Sequence, residues 1–173
     1  MPLYTDTLLS LAEIAAAFAG FAALVSVIRR STNQPAEAAH DLLRLRLVIG
    51  GSVAGVAAAL VPVGLQAYAF DPAITWRVAA ALFLVFDNSI LASFVSAYRP
   101  VQGSFPPDRL AVSVVMTLEI LEQVSLVAVV LGLFAGSAPA LYVTALIANL
   151  CQAGFIFVRF VGSAFRAELD PGD

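Results

Sequence analysis

The sequence contains no lysine, a single histidine (His40) and a single cysteine (Cys151), and charged residues fill only 12% of its 173 positions. Each shortage removes a class of chemistry. Without a lysine amine there is no retinal or other Schiff base. One histidine in a polar segment excludes haem sites that need paired imidazoles and His-rich zinc sites. One cysteine in an apolar run excludes a disulfide framework. The sequence also lacks an HExxH pair, a nucleotide-binding glycine loop and any histidine inside an apolar run that could serve a serine hydrolase. No catalytic residues, resident cofactor or metal set are therefore expected, and the chain does not read as an enzyme.

What is present is apolar. Hydrophobic residues make up 61% of the chain, and the mean hydropathy is +0.93. A soluble domain is about 45–50% apolar and about 25% charged. A soluble core of this size cannot hide so many apolar side chains, which rules out a water-soluble enzyme, a disordered tail and a nucleic-acid-binding domain. The expected fold is an all-α integral membrane bundle, a single domain over residues 1–173.

Five stretches are long enough to cross a bilayer, which takes about 20 residues at 1.5 Å rise. They are Leu8–Ile28, Leu47–Phe70, Thr75–Tyr98, Leu110–Ala135 and Pro139–Phe165. Eight of the nine prolines fall at or between their ends, where a missing N–H costs little. Pro62 alone lies inside a span, where it should kink the helix and free the carbonyl near Ala58. Only Asp6 is charged before Leu8, so the first stretch reads as a retained helix rather than a signal peptide. Asn33, Pro35 and the Ala- and Leu-rich run after them predict that the second helix starts near Ala36, giving an extension over residues 36–46.

Arginine sets the expected orientation. Arg29, Arg30, Arg44 and Arg46 lie in the first loop, Arg99 and Arg109 in the third, and Arg166 in the tail. The second loop has only Arg77 at its margin and the fourth has none. The positive-inside rule places the N-terminus outside and the C-terminus in the cytoplasm. Tyr4, Tyr68, Phe70, Trp76 and Tyr142 would form an outer aromatic belt, with Tyr98 and Phe165 at the inner one. The lysine-free, alanine-rich composition points to a prokaryotic inner (plasma) membrane.

Small residues mark helix contacts, because close backbone approach drives association in lipid. Ala16 and Gly20 form a small-xxx-small pair in the first span, and Gly51 and Gly55 a GxxxG in the second. They predict packing of the first two helices or, alternatively, contact between subunits of a homo-oligomer.

The spans also hold Glu13, Asp87, Glu119, Glu122 and Arg159, with Asn88, Gln123, Asn149 and Gln152 beside them. Such residues cost about 2.5–3.5 kcal/mol each on insertion scales and usually face a cavity or a partner. At 1.5 Å per residue, all but Arg159 lie about 13–24 Å from the inner helix ends, in one slab near the midplane. Glu119, Glu122 and Gln123 share a helix face by their i, i+3, i+4 spacing. Arg159, a few ångströms below Glu119, is expected to pair with it. That leaves three acids uncompensated, and buried carboxylates must then take up protons or bind a cation. The expected activity is conduction or transport of protons or monovalent cations through this acid–amide cluster. The alternative is a non-transporting membrane subunit or assembly module, bound to a membrane or cytoplasmic partner, whose polar residues are interhelical glue. Ser89, Ser93 and Ser96 form a stripe that is more simply explained by hydroxyls bonded to the preceding turn than by a wet vestibule.

Overall fold

The computed structural model describes residues 2–28, 35–103 and 108–169, with side chains for 4–27, 42–100, 102–103 and 108–162. Arg29 and Arg30, and the side chains of His40, Phe165 and Arg166, lie outside the described residues. The described residues form five long helices: α1 (Pro2–Ile28), α2 (Pro35–Ala67), α3 (Pro72–Tyr98), α4 (Arg109–Val130) and α5 (Ala138–Leu169). Each contains a stretch long and apolar enough to cross a bilayer, as a multi-pass membrane protein requires. Two short 3₁₀ turns, Arg99–Val101 and Ala135–Ser137, link α3 to α4 and α4 to α5.

Local chemistry sets the helix ends. Asp71 caps α3, its Oδ1 accepting from the N–H groups of Ala73 and Ile74 at 2.8 and 3.3 Å, with Pro72 at the first helical position. Asp108 caps α4 in the same way through the Leu110 N–H at 2.9 Å. At the far end of α4, Leu133 N–H donates to Ala128 O and Gly132 N–H to Val129 O, with Gly132 at φ +71°. This is a Schellman closure, and it ends α4 at Val130 rather than at the expected Ala135. A matching closure, Ala69 N–H to Gln66 O and Phe70 N–H to Leu65 O, ends α2 at Ala67 rather than Phe70.

Each helix packs against its neighbour in the order α1–α2–α3–α4–α5–α1, and α2 also meets α5 across the centre. The main cluster of buried apolar side chains occupies one half of this bundle, while Ala22, Val48 and Phe160 are buried in the other. The cluster joins Leu8 and Ala12 of α1, Ala54, Ala58 and Ala59 of α2, Trp76 to Phe83 of α3, Leu126 and Val129 of α4, and Tyr142 to Leu146 of α5. At its heart Tyr142 lies 5.4 Å from the Trp76 ring and 6.2 Å from Phe83, and Tyr4 meets Trp76 edge-on at 6.2 Å. Trp76 and Tyr142 are therefore not belt residues as their positions predicted: they are 2% and 0% exposed. Tyr68 and Phe70 do lie on the surface.

Tyr142 also resolves the proline problem. Pro62, fully buried, has no N–H to give to the carbonyl of Ala58 four residues earlier. The Tyr142 hydroxyl donates to that oxygen instead, at 2.7 Å.

Candidate functional site: a buried acid–amide cluster beneath a cavity

Three carboxylates meet where the apolar half of the bundle ends. Asp87 comes from α3, and Glu119 and Glu122 come from adjacent turns of one face of α4. One oxygen from each lies within 4.8 Å of the others. All three side chains are buried, Glu122 completely. Two facing carboxylates repel unless a proton or a cation lies between them.

Amides hold the acids in place. The Gln123 Nε2 donates to Asp87 Oδ2 and to Glu119 Oε1, both at 2.9 Å. Gln123 Oε1 in turn accepts from Asn88 Nδ2 at 3.1 Å, and Asn88 also donates to the Leu84 carbonyl of its own helix. From α5, Gln152 Nε2 donates to Glu122 Oε2 at 3.1 Å. Two acceptors remain buried with no donor: Glu122 Oε1 and Asn149 Oδ1. An orphaned buried acceptor costs about 1–3 kcal/mol, so the cluster is short of positive partners.

Asn149 lies over the glycine face of α2. A Cβ on Gly55 would stand 3.2 Å from Asn149 Oδ1 and 3.6 Å from the Ala15 Cβ, and one on Gly51 4.0 Å from Asn149 Nδ2. The GxxxG is thus used within the chain, to bring α5 and α1 close to α2. Ala16 and Gly20 are not. Both are exposed, and nothing stands within 4 Å of a Cβ on Gly20. The packed face of α1 carries Leu8, Ala12, Ala15 and Ala22, and Ala16 falls about 100° away from Ala15.

The same geometry corrects Glu13. It follows Ala12 by one residue, so it points out of the packed face and is exposed, apart from the acids of α3 and α4. Depth alone placed it in the slab, and the helix rotation removes it.

Arg159 is the second correction. Its Nη2 pairs with Asp108 Oδ2 at 2.5 Å, not with Glu119. The physical reason is direction. Reaching Glu119 would draw the guanidinium deeper, whereas Asp108 lies toward the helix end, where both side chains keep partial exposure of 36% and 47%. Glu119 is instead bonded to Gln123. The Leu110 N–H and then the Arg159 guanidinium hold the Asp108 carboxyl below its ordinary range. Asp108 escaped sequence reasoning as a partner because it lies in a loop, although its place before an apolar run marks it as a helix cap. Of the serine stripe, Ser89 Oγ donates to Val85 O at 2.6 Å, which is the bond to the preceding turn.

A cavity of about 360 Å³ leads to the cluster. It lies between α2, α3, α4 and α5 in the half of the bundle that the aromatic core leaves unfilled. Arg44, Asp108 and Arg159 border one end; Gly51, Asp87, Glu119, Asn149 and Gln152 border the other. Glu122 lies behind this floor, between Gln152 and the apolar core. Cation-ligand motifs of fixed spacing could not reveal such a floor, because its acids come from separate helices.

Neither a protein-family model nor a curated protein nor a solved structure matches this chain.

Proposed function

We propose that this protein carries protons or other monovalent cations across a membrane, with Asp87, Glu119 and Glu122 as the site they pass through. One observation supports it most: three buried carboxylates within 4.8 Å of one another, at the end of a cavity, with only amides as hydrogen-bond donors. Hydrogen-bond glue alone does not call for an excess of three acids, and the orphaned Glu122 and Asn149 oxygens call for a proton or a cation. In this reading Gln123, Asn149 and Gln152 are neutral ligands, and Asn88 steadies Gln123.

The arginines favour a direction for the cavity. Arg44 and Arg159 border one end of it, the end toward which Arg99 and Arg109 lie at the neighbouring ends of α3 and α4, so by the positive-inside rule it faces the cytoplasm, with the N-terminus outside. The Trp76–Tyr142–Phe83 core then closes the opposite side. This is the arrangement of a carrier or gated channel with access from one side. The membrane is the inner membrane of a prokaryotic cell. Cation flux into liposomes should be lost on neutralising Glu119 and Glu122 to Gln, with the protein still folded.

A second reading has its own support. The exposed Glu13, Ala16 and Gly20 lie on a face of α1 that no described helix covers, which fits contact with a second copy or a membrane partner. It is compatible with transport, and becomes the whole function only if flux is absent.

A further inference from the structure

The walls of the cavity differ from its ends. Between the arginines at one end and the acids at the floor it is bounded by Leu91, Phe94, Phe155 and Ile156, and by Val112 and Met116, which are 44% and 50% exposed and leave it partly open along α4. Dehydrated metal ions need polar groups along their path to replace hydration, and protons or hydrated ions would cross an apolar stretch only with water. Here the polar groups are confined to the two ends. A volume of about 360 Å³ also falls in the range of sites for small organic ligands, which are mostly apolar with a few placed polar groups.

The charge at the floor decides which ligand. Asp87 and Glu119 line it with no basic residue at their level. Of the two arginines at the other end, Arg159 is bonded to Asp108. Asn149, 4% exposed, borders the same floor, with its unpartnered Oδ1 buried and turned toward Gly55 of α2 rather than into the cavity. The floor therefore offers the carboxylates of Asp87 and Glu119 to a positive group.

Resting on the transport reading above, we propose that the substrate is a lipophilic organic monocation, its apolar body against the cavity walls and its charge against Asp87 and Glu119. An anionic amphiphile would place its charge against these acids, and a bare ion would leave the walls uncovered.

The test uses tetraphenylphosphonium on the purified full-length protein by calorimetry, with tetraphenylborate as a control of the same shape and opposite charge. Saturable one-to-one binding of the cation is expected, and no binding of the anion titrated in a separate sample. The double variant Asp87→Asn/Glu119→Gln should weaken it by about tenfold or more through loss of the charge partner. Met116→Trp, which leaves the acids intact and narrows the cavity, should weaken it as well. Binding that survives the double variant, or that tetraphenylborate matches, overturns the proposal. So does a co-purified phospholipid that the cation fails to displace. If the phosphonium does not bind but acid-dependent flux of K⁺ or H⁺ persists, the organic substrate is wrong and the transport reading stands. If neither binding nor flux occurs, both fall.

Discussion

Tyr142 and Pro62 are 80 positions apart in sequence and share one carbonyl. Because Pro62 cannot donate to Ala58 O, the Tyr142 hydroxyl is its partner. Tyr142→Phe should cost about 1–3 kcal/mol by orphaning that oxygen. Pro62→Ala restores an N–H at the right place, so in the double variant the loss should shrink, with a coupling of roughly 0.5–1.5 kcal/mol read from unfolding in detergent. Additive losses would contradict this assignment. The carbonyl's need was legible from Pro62; its partner was not, since an aromatic near a helix end reads equally as a belt residue. Asp108 makes a second residue-scale case. Its carboxyl is held below its ordinary value of 3.8, so its contribution is fully present above that value and is lost only as the pH falls through the lower folded value. Stability of the native protein and of Asp108→Asn should therefore differ by a constant amount from pH 5 to 8 and converge only below about pH 4. A difference that titrates near neutrality would mean that Asp108 is not bonded as described. Any activity titrating near pH 7 belongs to other groups.

The five helices were legible because long apolar runs punctuated by proline admit few other structures. Their rotations were not. Composition gives each helix a depth scale, but α1 is apolar almost all round, so sequence alone could not tell that Ala15 packs inward while Glu13, Ala16 and Gly20 face out. On α4 the i, i+3, i+4 spacing of Glu119, Glu122 and Gln123 did fix their common face, and there the expected grouping matches the contacts in the structure. The end of α4 was misread because Leu133, Phe134 and Ala135 prolong the apolar run, while Gly132 at φ +71° breaks the helix through backbone geometry. The two small-residue motifs now make opposite predictions. Gly55→Val should destabilise the protein by about 1–3 kcal/mol, since its side chain meets Asn149 and Ala15. Gly20→Val should change monomer stability by no more than about 0.5 kcal/mol but weaken association if α1 contacts another copy or a partner. Thermal unfolding and cross-linking in membranes separate the two. Equal destabilisation by both would place Gly20 in the core.

At the scale of the molecule the bundle is divided along its length. One half is sealed by the Trp76–Tyr142–Phe83 core, the other holds a cavity, and the acids lie where the two meet. That division could not be read from hydropathy, which averages over all faces of a helix. It follows from which side chains meet once the helices pack: Tyr142 reaches α2, Gln152 reaches Glu122, and Arg159 turns away to Asp108. In a carrier or gated channel, a closed and an open side are what alternating access needs, and the acids would change exposure as the sealed half opens. The most direct measurement is flux from proteoliposomes of purified protein, with a pH-sensitive dye inside and K⁺, Na⁺ or H⁺ gradients imposed in turn. The account predicts cation flux above that of empty liposomes. Glu119→Gln and Glu122→Gln, separately and together, should reduce it to background while the protein stays folded. Wild-type rates in the folded double variant would contradict the account, because the cation would then be crossing somewhere other than the acid–amide cluster.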